Sequence, residues 1–248
     1  MNILKIVPFA FWMFSTLPPI RTHRREIDKY RAAGDFENEQ EWIRKAENVW
    51  GPLVLRHYGI AVDVGGNGNL PDGPVLFVSN HEGFGDIVVF MDAIRTKQFG
   101  FVAKDELGRV PIFGTWIRRI RSLMLERDDP REAVRVFKTG EEWLRQGFSL
   151  VIFPEGTRAL NRGMAAFNRG SLRMAMRTGV PIVPISIRGT WRLFEEKGGP
   201  RRGTARFFVH PTIETKGLAK TDESALSDRI EEMIRKKIDE WIQEEHHG

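Results

Sequence analysis

The chain has 248 residues, a mass of 28.5 kDa, 41% hydrophobic and 29% charged residues, a net charge of +5 and a pI near 9.6. This composition is typical of a globular protein with one large core and excludes a disordered or uniformly membrane-embedded chain. The sequence contains no cysteine, which excludes disulfides, zinc–thiolate sites and a thiol nucleophile. The positive charge favours an anionic partner, such as a membrane surface, a phosphorylated substrate, an acidic protein or nucleic acid.

The N-terminal residues 3–20, ILKIVPFAFWMFSTLPPI, form an apolar segment that Lys5 and three prolines interrupt. A spanning helix needs about 20 predominantly apolar residues, so this segment is short and broken for that purpose. No small-residue cleavage site for a signal peptide follows, because the next residues are basic. We therefore predict a segment that dips into one leaflet, with Trp12 at the headgroup level. The alternative is a helix packed on the protein's own core, which periodicity alone does not distinguish.

Two helices are predicted next, over residues 21–33 and 38–57, joined by the breaker Ala-Gly-Asp-Phe. The second has apolar residues at spacings of three and four and therefore one apolar face, and Gly51-Pro52 should kink it. Its apolar positions are Trp42, Ile43, Ala46, Val49, Trp50, Leu53 and Val54. The pair is interpreted as a hairpin that associates with a bilayer, and the same pattern suits a hairpin docked on a sheet.

Short apolar runs rich in Val, Ile and Phe follow, which is the pattern of buried strands. The predicted strands are PVLFVSN (74–80), FGFVAK (99–104), SLMLE (122–126), FSLVIFP (148–154), IVPISIRG (182–189) and ARFFVHP (205–211). Helices are predicted between several of them and at 222–243. The fold class is therefore α/β, a mostly parallel central sheet flanked by helices, with an N-terminal helical hairpin. The predicted domains are the hairpin, residues 1–58, and an α/β domain, residues 59–248.

The first candidate for chemistry is the loop N-H-E-G-F-G-D, residues 80–86, where a predicted strand runs into His81. On a continuous helix His81 and Asp86 would point about 140° apart, so they can meet only if the backbone turns, which Gly83 and Gly85 permit. A histidine held by a carboxylate is a general base with a fixed tautomer. The alternative is that Asp86 only caps the following helix. No second histidine lies at ligand spacing, so no metal site is predicted.

Three further stretches follow or form strand ends: K-D-E-L-G-R-V-P-I-F-G (104–114), F-P-E-G-T-R (153–158) and V-P-I-V-P-I (180–185). With N-H-E-G-F-G-D, their order and spacing resembles the glycerolipid acyltransferase family, most closely the 1-acyl-glycerol-3-phosphate (lysophosphatidic acid) acyltransferases. The resemblance covers residues 75–190. It departs from the commonest pattern at Glu82, where many relatives carry serine or glutamine, and at Ala159; neither departure is expected to touch the chemistry.

The resemblance implies transfer of an acyl chain from a thioester to the sn-2 hydroxyl of lysophosphatidic acid, giving phosphatidic acid. It implies His81 as the general base and Asp86 as the residue that orients it. The implied substrate-binding residues are Lys104, Glu155, Gly156, Thr157 and Arg158. Arg158 is the forked donor for the phosphate, and Glu155 holds Arg158 or a glycerol hydroxyl. Two of these residues also have a structural alternative: Gly156 supplies a turn after the strand, and Glu155 serves as an ion-pair partner. V-P-I-V-P-I is expected to shape the floor of the site or the acyl path.

The expected partners are the lipid bilayer, lysophosphatidic acid and a thioester of acyl carrier protein or coenzyme A, with no nucleic acid and no cofactor. The basic stretch 118–138 is a candidate surface for anionic lipid or for the donor, or simply a solvated helix face. The expected location is the cytoplasmic face of the cell membrane, as a monotopic protein. The alternatives are another acceptor, such as glycerol 3-phosphate or another lysolipid, and, in a different class, an acyl-ester hydrolase or a non-enzymatic binding module. No G-x-S-x-G motif supports the hydrolase.

Overall fold

The computed structural model describes residues 21–66, 70–126, 129–160, 163–168 and 170–247. The helices are α1 (Arg21–Ala33), α2 (Phe36–Tyr58), α3 (Gly85–Ala93), α4 (Asp105–Arg109), α5 (Phe113–Arg119), α6 (Pro130–Arg145), α7 (Arg173–Thr178), α8 (Thr190–Phe194) and α9 (Glu223–His247), with a 3₁₀ turn at Lys220–Asp222. The strands are β1 (Ile60–Gly66), β2 (Leu76–Ser79), β3 (Phe99–Lys104), β4 (Leu123–Leu125), β5 (Ser149–Ile152), β6 (Ile182–Arg188) and β7 (Gly203–Val209).

Within the described residues the strands form one seven-stranded sheet in the order β1-β7-β6-β2-β5-β3-β4. The five strands from β6 to β4 are parallel, whereas β7 is antiparallel to β6 and β1 is parallel to β7. The predicted α/β class with a mostly parallel sheet is confirmed, and so are its six predicted strands. β1 was not predicted, because most of its residues are exposed and it has no continuous apolar run.

The sheet separates two apolar clusters, one on each face. Along β2, Phe77 belongs to the cluster beneath α2 and α3, while Leu76 and Val78 belong to the cluster beneath α6, α7 and α9. Successive side chains of a strand point to opposite faces, so a run that is apolar at every position fills both clusters. This is the physical reason that short uninterrupted apolar runs identified these strands.

The N-terminal hairpin is docked on the α/β core. Ile43 and Ala46, on the apolar face predicted for α2, are fully buried, and Trp50 is 1% exposed. α2 continues through Pro52. A Cβ on Gly51 would lie 2.4 Å from the Met91 Cβ, so glycine lets α2 approach α3 closely. Of the two readings of this face, docking on the protein's own core is therefore the one observed at these positions, while Val49 of the same face is 36% exposed. The domain division at residue 58 remains a prediction.

The basic stretch 118–138 also has a structural role. Arg119 donates two hydrogen bonds to Asp28 of α1, at 2.8 and 3.0 Å, and Arg121 donates two to buried Glu39 of α2, at 2.8 and 2.7 Å. These arginines attach the hairpin to the sheet domain, because paired guanidinium–carboxylate contacts fix geometry as well as charge. They are therefore not free for an anionic partner. Within the described ranges no helix is long and apolar enough to cross a membrane; the predicted segment 3–20 lies outside those ranges.

Candidate active site

Parallel strands direct their carboxyl ends to one edge of the sheet, where sites form in α/β proteins. His81 follows β2, Glu155 follows β5, and Lys104 ends β3. Asn80 fixes the end of β2, because its side chain exchanges two 2.8 Å hydrogen bonds with the backbone of Ile187 on β6. β6, which contains most of V-P-I-V-P-I (180–185), is thus connected to the site through Asn80.

His81 and Asp86 are in contact: His81 Nδ1 lies 2.6 Å from Asp86 Oδ2. Asp86 is fully buried in the first turn of α3, and the same oxygen accepts hydrogen bonds from the amides of Glu82 and Gly83, at 2.9 and 3.2 Å. An ionised carboxylate only accepts, so Nδ1 carries the proton and Nε2 has a free lone pair. The His81 ring stacks on Phe153, with 4.2 Å between centroids. This arrangement suits a general base with a fixed tautomer.

The two glycines of the loop are required for space. The backbone turns as predicted and brings His81 to Asp86. Neither Gly83 nor Gly85 has a left-handed backbone, so the turn does not depend on glycine's conformational freedom. A Cβ on Gly83 would lie 2.4 Å from Glu195 Oε1, and one on Gly85 would lie 2.3 Å from the Phe194 ring. Glycine is needed because the segment 189–195 packs directly against the loop.

Glu155 holds the backbone of the histidine loop. Its Oε1 accepts from the His81 amide and its Oε2 from the Ala165 amide, both at 2.7 Å. Burial raises the pKa of the Glu155 carboxyl above its ordinary value. The expectation that Glu155 holds Arg158 is not what the structure shows. Gly156, the next residue, has a left-handed backbone with φ of 66° and supplies a turn.

Arg158, the last residue of F-P-E-G-T-R (153–158), contacts the loop that follows His81. Its Nη1 forms an ion pair with Glu195 Oε2, and its guanidinium lies 4.0 Å from the centre of the Phe84 ring. Glu195 Oε1 in turn accepts from the Phe84 amide at 2.6 Å. The amide of Ala159, next to Arg158, donates to the His81 carbonyl at 2.8 Å. The predicted base and the predicted phosphate ligand are therefore neighbours.

A cavity of about 650 Å³ opens at the ends of β3, β4 and β5. Lys104 lies on its wall beside Glu155 and Gly156, with Nζ 2.6 Å from Glu106 Oε1. The apolar wall residues are Val102, Ala103, Leu125, Ala133, Val134, Phe137, Ile152 and Phe153. The wall also carries polar and charged side chains, among them Glu141, Arg173 and Arg177, so the lining is mixed. Phe153 connects the cavity to the His81 ring. Thr157 is exposed to solvent.

Three residues that contact the predicted site residues were not recognised as site residues from the sequence. Glu82 was taken as a harmless departure, yet its side chain lies beside Asp86 and accepts from the Gly189 amide at 2.7 Å. Thr190 donates to Asp86, and Glu195 pairs with Arg158. Thr190 and Glu195 lie more than 100 positions beyond the loop they contact, and no spacing rule connects them to it.

The fold and site together define an α/β protein whose candidate general base, backed by a buried carboxylate, lies beside an arginine at the carboxyl edge of a parallel sheet. A family model described as Acyltransferase matches residues 61–188, more than half of the chain. The chain belongs to the acyltransferase family.

Curated relatives agree with this family. The chain is 34% identical over 169 residues to a chloroplastic 1-acyl-sn-glycerol-3-phosphate acyltransferase of Arabidopsis thaliana, covering 66% of this chain and 47% of the relative. It is 28% identical to the enzyme of that name from Pseudomonas aeruginosa, covering 81% and 76%, and 32% identical to the human alpha form, covering 72% and 65%. The chain spans about half the length of the chloroplastic relatives it matches.

A solved structure is similar over nearly its whole length. The crystal structure of the 1-acyl-sn-glycerophosphate acyltransferase PlsC from Thermotoga maritima has a TM-score of 0.71 and 25% sequence identity to this chain. The match covers 90% of this chain and 94% of that one.

Proposed function

We propose that this chain transfers a fatty acyl chain from a thioester of acyl carrier protein or coenzyme A to the sn-2 hydroxyl of lysophosphatidic acid, giving phosphatidic acid. The observation that carries the proposal is the 2.6 Å contact between His81 Nδ1 and Asp86, beside an arginine suited to phosphate. The names of the relatives support the choice of acceptor.

The chemistry requires a base, because an alcohol is a poor nucleophile at neutral pH. His81 Nε2 takes the hydroxyl proton as the oxygen attacks the thioester carbonyl, and Asp86 stabilises the imidazolium that forms. The tetrahedral intermediate collapses with cleavage of the carbon–sulfur bond, and the thiolate takes the proton from His81. No cofactor is needed for these steps.

The oxyanion of this intermediate needs hydrogen-bond donors. Backbone amides of two segments are candidates, the Gly83–Gly85 loop and residues 104–107. In the loop, the amides of Gly83 and Phe84 already donate to Asp86 and Glu195. The backbone over residues 104–107 adjoins the cavity through Lys104. We therefore assign the oxyanion site to that segment.

The acceptor's phosphate is assigned to Arg158 and Lys104. Arg158 uses Nη1 for Glu195, and a guanidinium has five donors, so others can form a fork with phosphate oxygens. Lys104 supplies a second positive charge at the cavity edge. The apolar part of the cavity wall is suited to a fatty acyl chain, because burying methylene groups removes apolar surface from water.

A panel of acceptors tests the proposal. Purified protein is incubated with lysophosphatidic acid, glycerol 3-phosphate or a choline-headgroup lysolipid, each with an acyl carrier protein or a coenzyme A thioester. Lysophosphatidic acid should be acylated at least about 10-fold faster than the choline lysolipid, because charge-assisted contacts to an accessible phosphate are lost with the latter. Preference for glycerol 3-phosphate would favour the alternative acceptor. Release of free fatty acid with stoichiometric labelling by a serine-reactive phosphonate would instead indicate a hydrolase.

We also infer association with the cytoplasmic face of a membrane, through the apolar segment 3–20 and the basic residues after it. Because Ile43, Ala46 and Trp50 of α2 are buried within the protein, deletion of residues 2–20 alone should move the protein from the liposome pellet to the supernatant. The measurement is sedimentation with vesicles containing anionic lipid. An unchanged circular dichroism spectrum shows that the truncated protein is folded; undiminished pelleting of that folded protein would contradict the inference.

A further inference from the structure

The second carboxylate oxygen of Asp86 accepts a hydrogen bond from a residue that is 104 positions away in the sequence. The hydroxyl of Thr190, the first residue of α8, contacts Asp86 Oδ1 and is fully buried. Its oxygen also lies 3.4 Å from Glu82 Oε2. Glu82, Thr190, Asp86 and His81 thus form a continuous series of contacts that ends at the proposed base.

A hydroxyl group has one proton, and this limits what Thr190 can do. When it donates to Asp86, only a lone pair of its oxygen faces Glu82. A protonated Glu82 can donate to that lone pair. Glu82 then donates to Thr190, Thr190 donates to Asp86, and Asp86 only accepts. An ionised Glu82 can only accept, and it then competes with Asp86 for the single Thr190 proton.

We propose that Thr190 and Glu82 are positioning residues for the His81–Asp86 pair, and that the protonated form of Glu82 is the one that supports acyl transfer. The proposal rests on the proposed function, because it concerns how the base is held. Neither side chain is expected to touch the substrate. Their effect is transmitted through the orientation of Asp86. Within the described part of the chain, its other donors are the loop amides and His81.

The surroundings of Glu82 place its ionisation in the physiological range. Burial raises the pKa of the Glu82 carboxyl to about 7, and the negative charge of Asp86 adds to this. Arg188, 3.9 Å away, and the amides of Gly189 and Trp191 oppose the increase. The other ionisable groups that surround it are His81 on its own loop, Glu245 of α9, which is paired with Arg188, and Arg192 and Glu196 of the 190–196 segment.

A route for the proton is also present. A second cavity, of about 200 Å³, is bounded by Glu82, Trp191 and the charged residues around Arg188. This volume can hold several water molecules. Glu82 can therefore exchange its proton on the side away from His81, without using the substrate cavity.

The first test compares Thr190→Val with Thr190→Ser. Valine has the same shape but no hydroxyl, and should lower kcat by about 10- to 100-fold, the effect of losing one hydrogen bond to a charged group in the transition state. Its KM for lysophosphatidic acid should change little, and serine should restore most of kcat. Thr139→Val, on the exposed side of α6, is the matched control and should have wild-type activity. A folded Thr190→Val enzyme with wild-type kcat would overturn the role of Thr190.

The second test is the pH dependence of kcat for Glu82→Gln, which is neutral at every pH. In the wild type, Glu82 loses its proton as the pH rises through about 7, so kcat should fall on the alkaline side relative to the variant. The variant should keep its activity there. Coincident profiles would exclude the role of Glu82, and this test holds even if Thr190→Val does not fold.

Failure of this inference is distinguishable from failure of the proposed function. If His81→Ala retains acyl transfer, the base itself is wrong. If His81→Ala is inactive while Thr190→Val and Glu82→Gln behave as the wild type, only the positioning role fails.

Discussion

Replacing His81 with alanine is expected to lower kcat for acyl transfer to lysophosphatidic acid by about 10²- to 10⁴-fold, the range for loss of a general base. The substrate hydroxyl then has no group to take its proton, while Arg158 and the cavity still bind the substrates. KM should therefore change little. The measurement is the initial rate of phosphatidic acid formation in detergent micelles, with folding checked by circular dichroism. Near wild-type transfer by His81→Ala would exclude the proposed mechanism.

Asp86→Asn tests the partner of the base with almost no change in shape. The Asp86 carboxylate accepts from two amides as well as from His81 Nδ1, and an amide group cannot accept at all of these positions. The imidazole is then released to its other tautomer, with the proton on Nε2, and kcat should fall almost as far as in His81→Ala. The double variant should be no worse than the single ones, because residues that act as a unit are not additive. Asp92→Asn, at the other end of α3 and paired with Arg95, is the control.

The sequence predicted the sheet and the contact between His81 and Asp86 because both depend on local patterns. The apolar runs identified six strands, and the candidate site residues were read from the ends of these strands. The contact between His81 and Asp86 was proposed from a spacing that cannot work on a helix. The pattern does not explain why glycine stands at positions 83 and 85. The side chains that approach these glycines, Glu195 and Phe194, lie more than 100 residues away in the sequence. Tertiary neighbours of this kind leave no period in the sequence.

The N-terminal hairpin illustrates the limit of periodicity. An apolar stripe at helical spacing is the same whether it meets a bilayer or a sheet. The burial of Trp50 and the ion pairs from Arg119 and Arg121 to the hairpin decide in favour of the sheet. The same ion pairs show why a basic run was a weak indication of an anionic partner. A stretch of sequence shows the basic residues of such ion pairs, but it does not show the acidic partners, which lie far away in the chain.

The phosphate site gives a large expected effect on KM, whereas the variants of His81 and Asp86 act on kcat. Arg158→Ala should raise KM for lysophosphatidic acid by about 10- to 100-fold, because charge-assisted hydrogen bonds to the phosphate are lost, with a smaller change in KM for the thioester. Arg158→Lys should recover only part of this, since an ammonium cannot form the planar two-bond fork. Arg145→Ala, which removes the same charge from the exposed end of α6, should leave both constants unchanged.

Glu195 determines where Arg158 lies, and its variants separate position from charge. Its two oxygens hold the Arg158 guanidinium and the Phe84 amide. Glu195→Ala removes both contacts and should raise KM for lysophosphatidic acid by about 10-fold. Glu195→Gln keeps the shape and one acceptor oxygen, which can serve one of the two donors, and should raise KM less. The increases should recur with glycerol 3-phosphate and be absent with a choline-headgroup lysolipid, which lacks an accessible phosphate monoester. Equal increases for all three acceptors would mean that Arg158 supports the loop around Phe84 and does not bind phosphate.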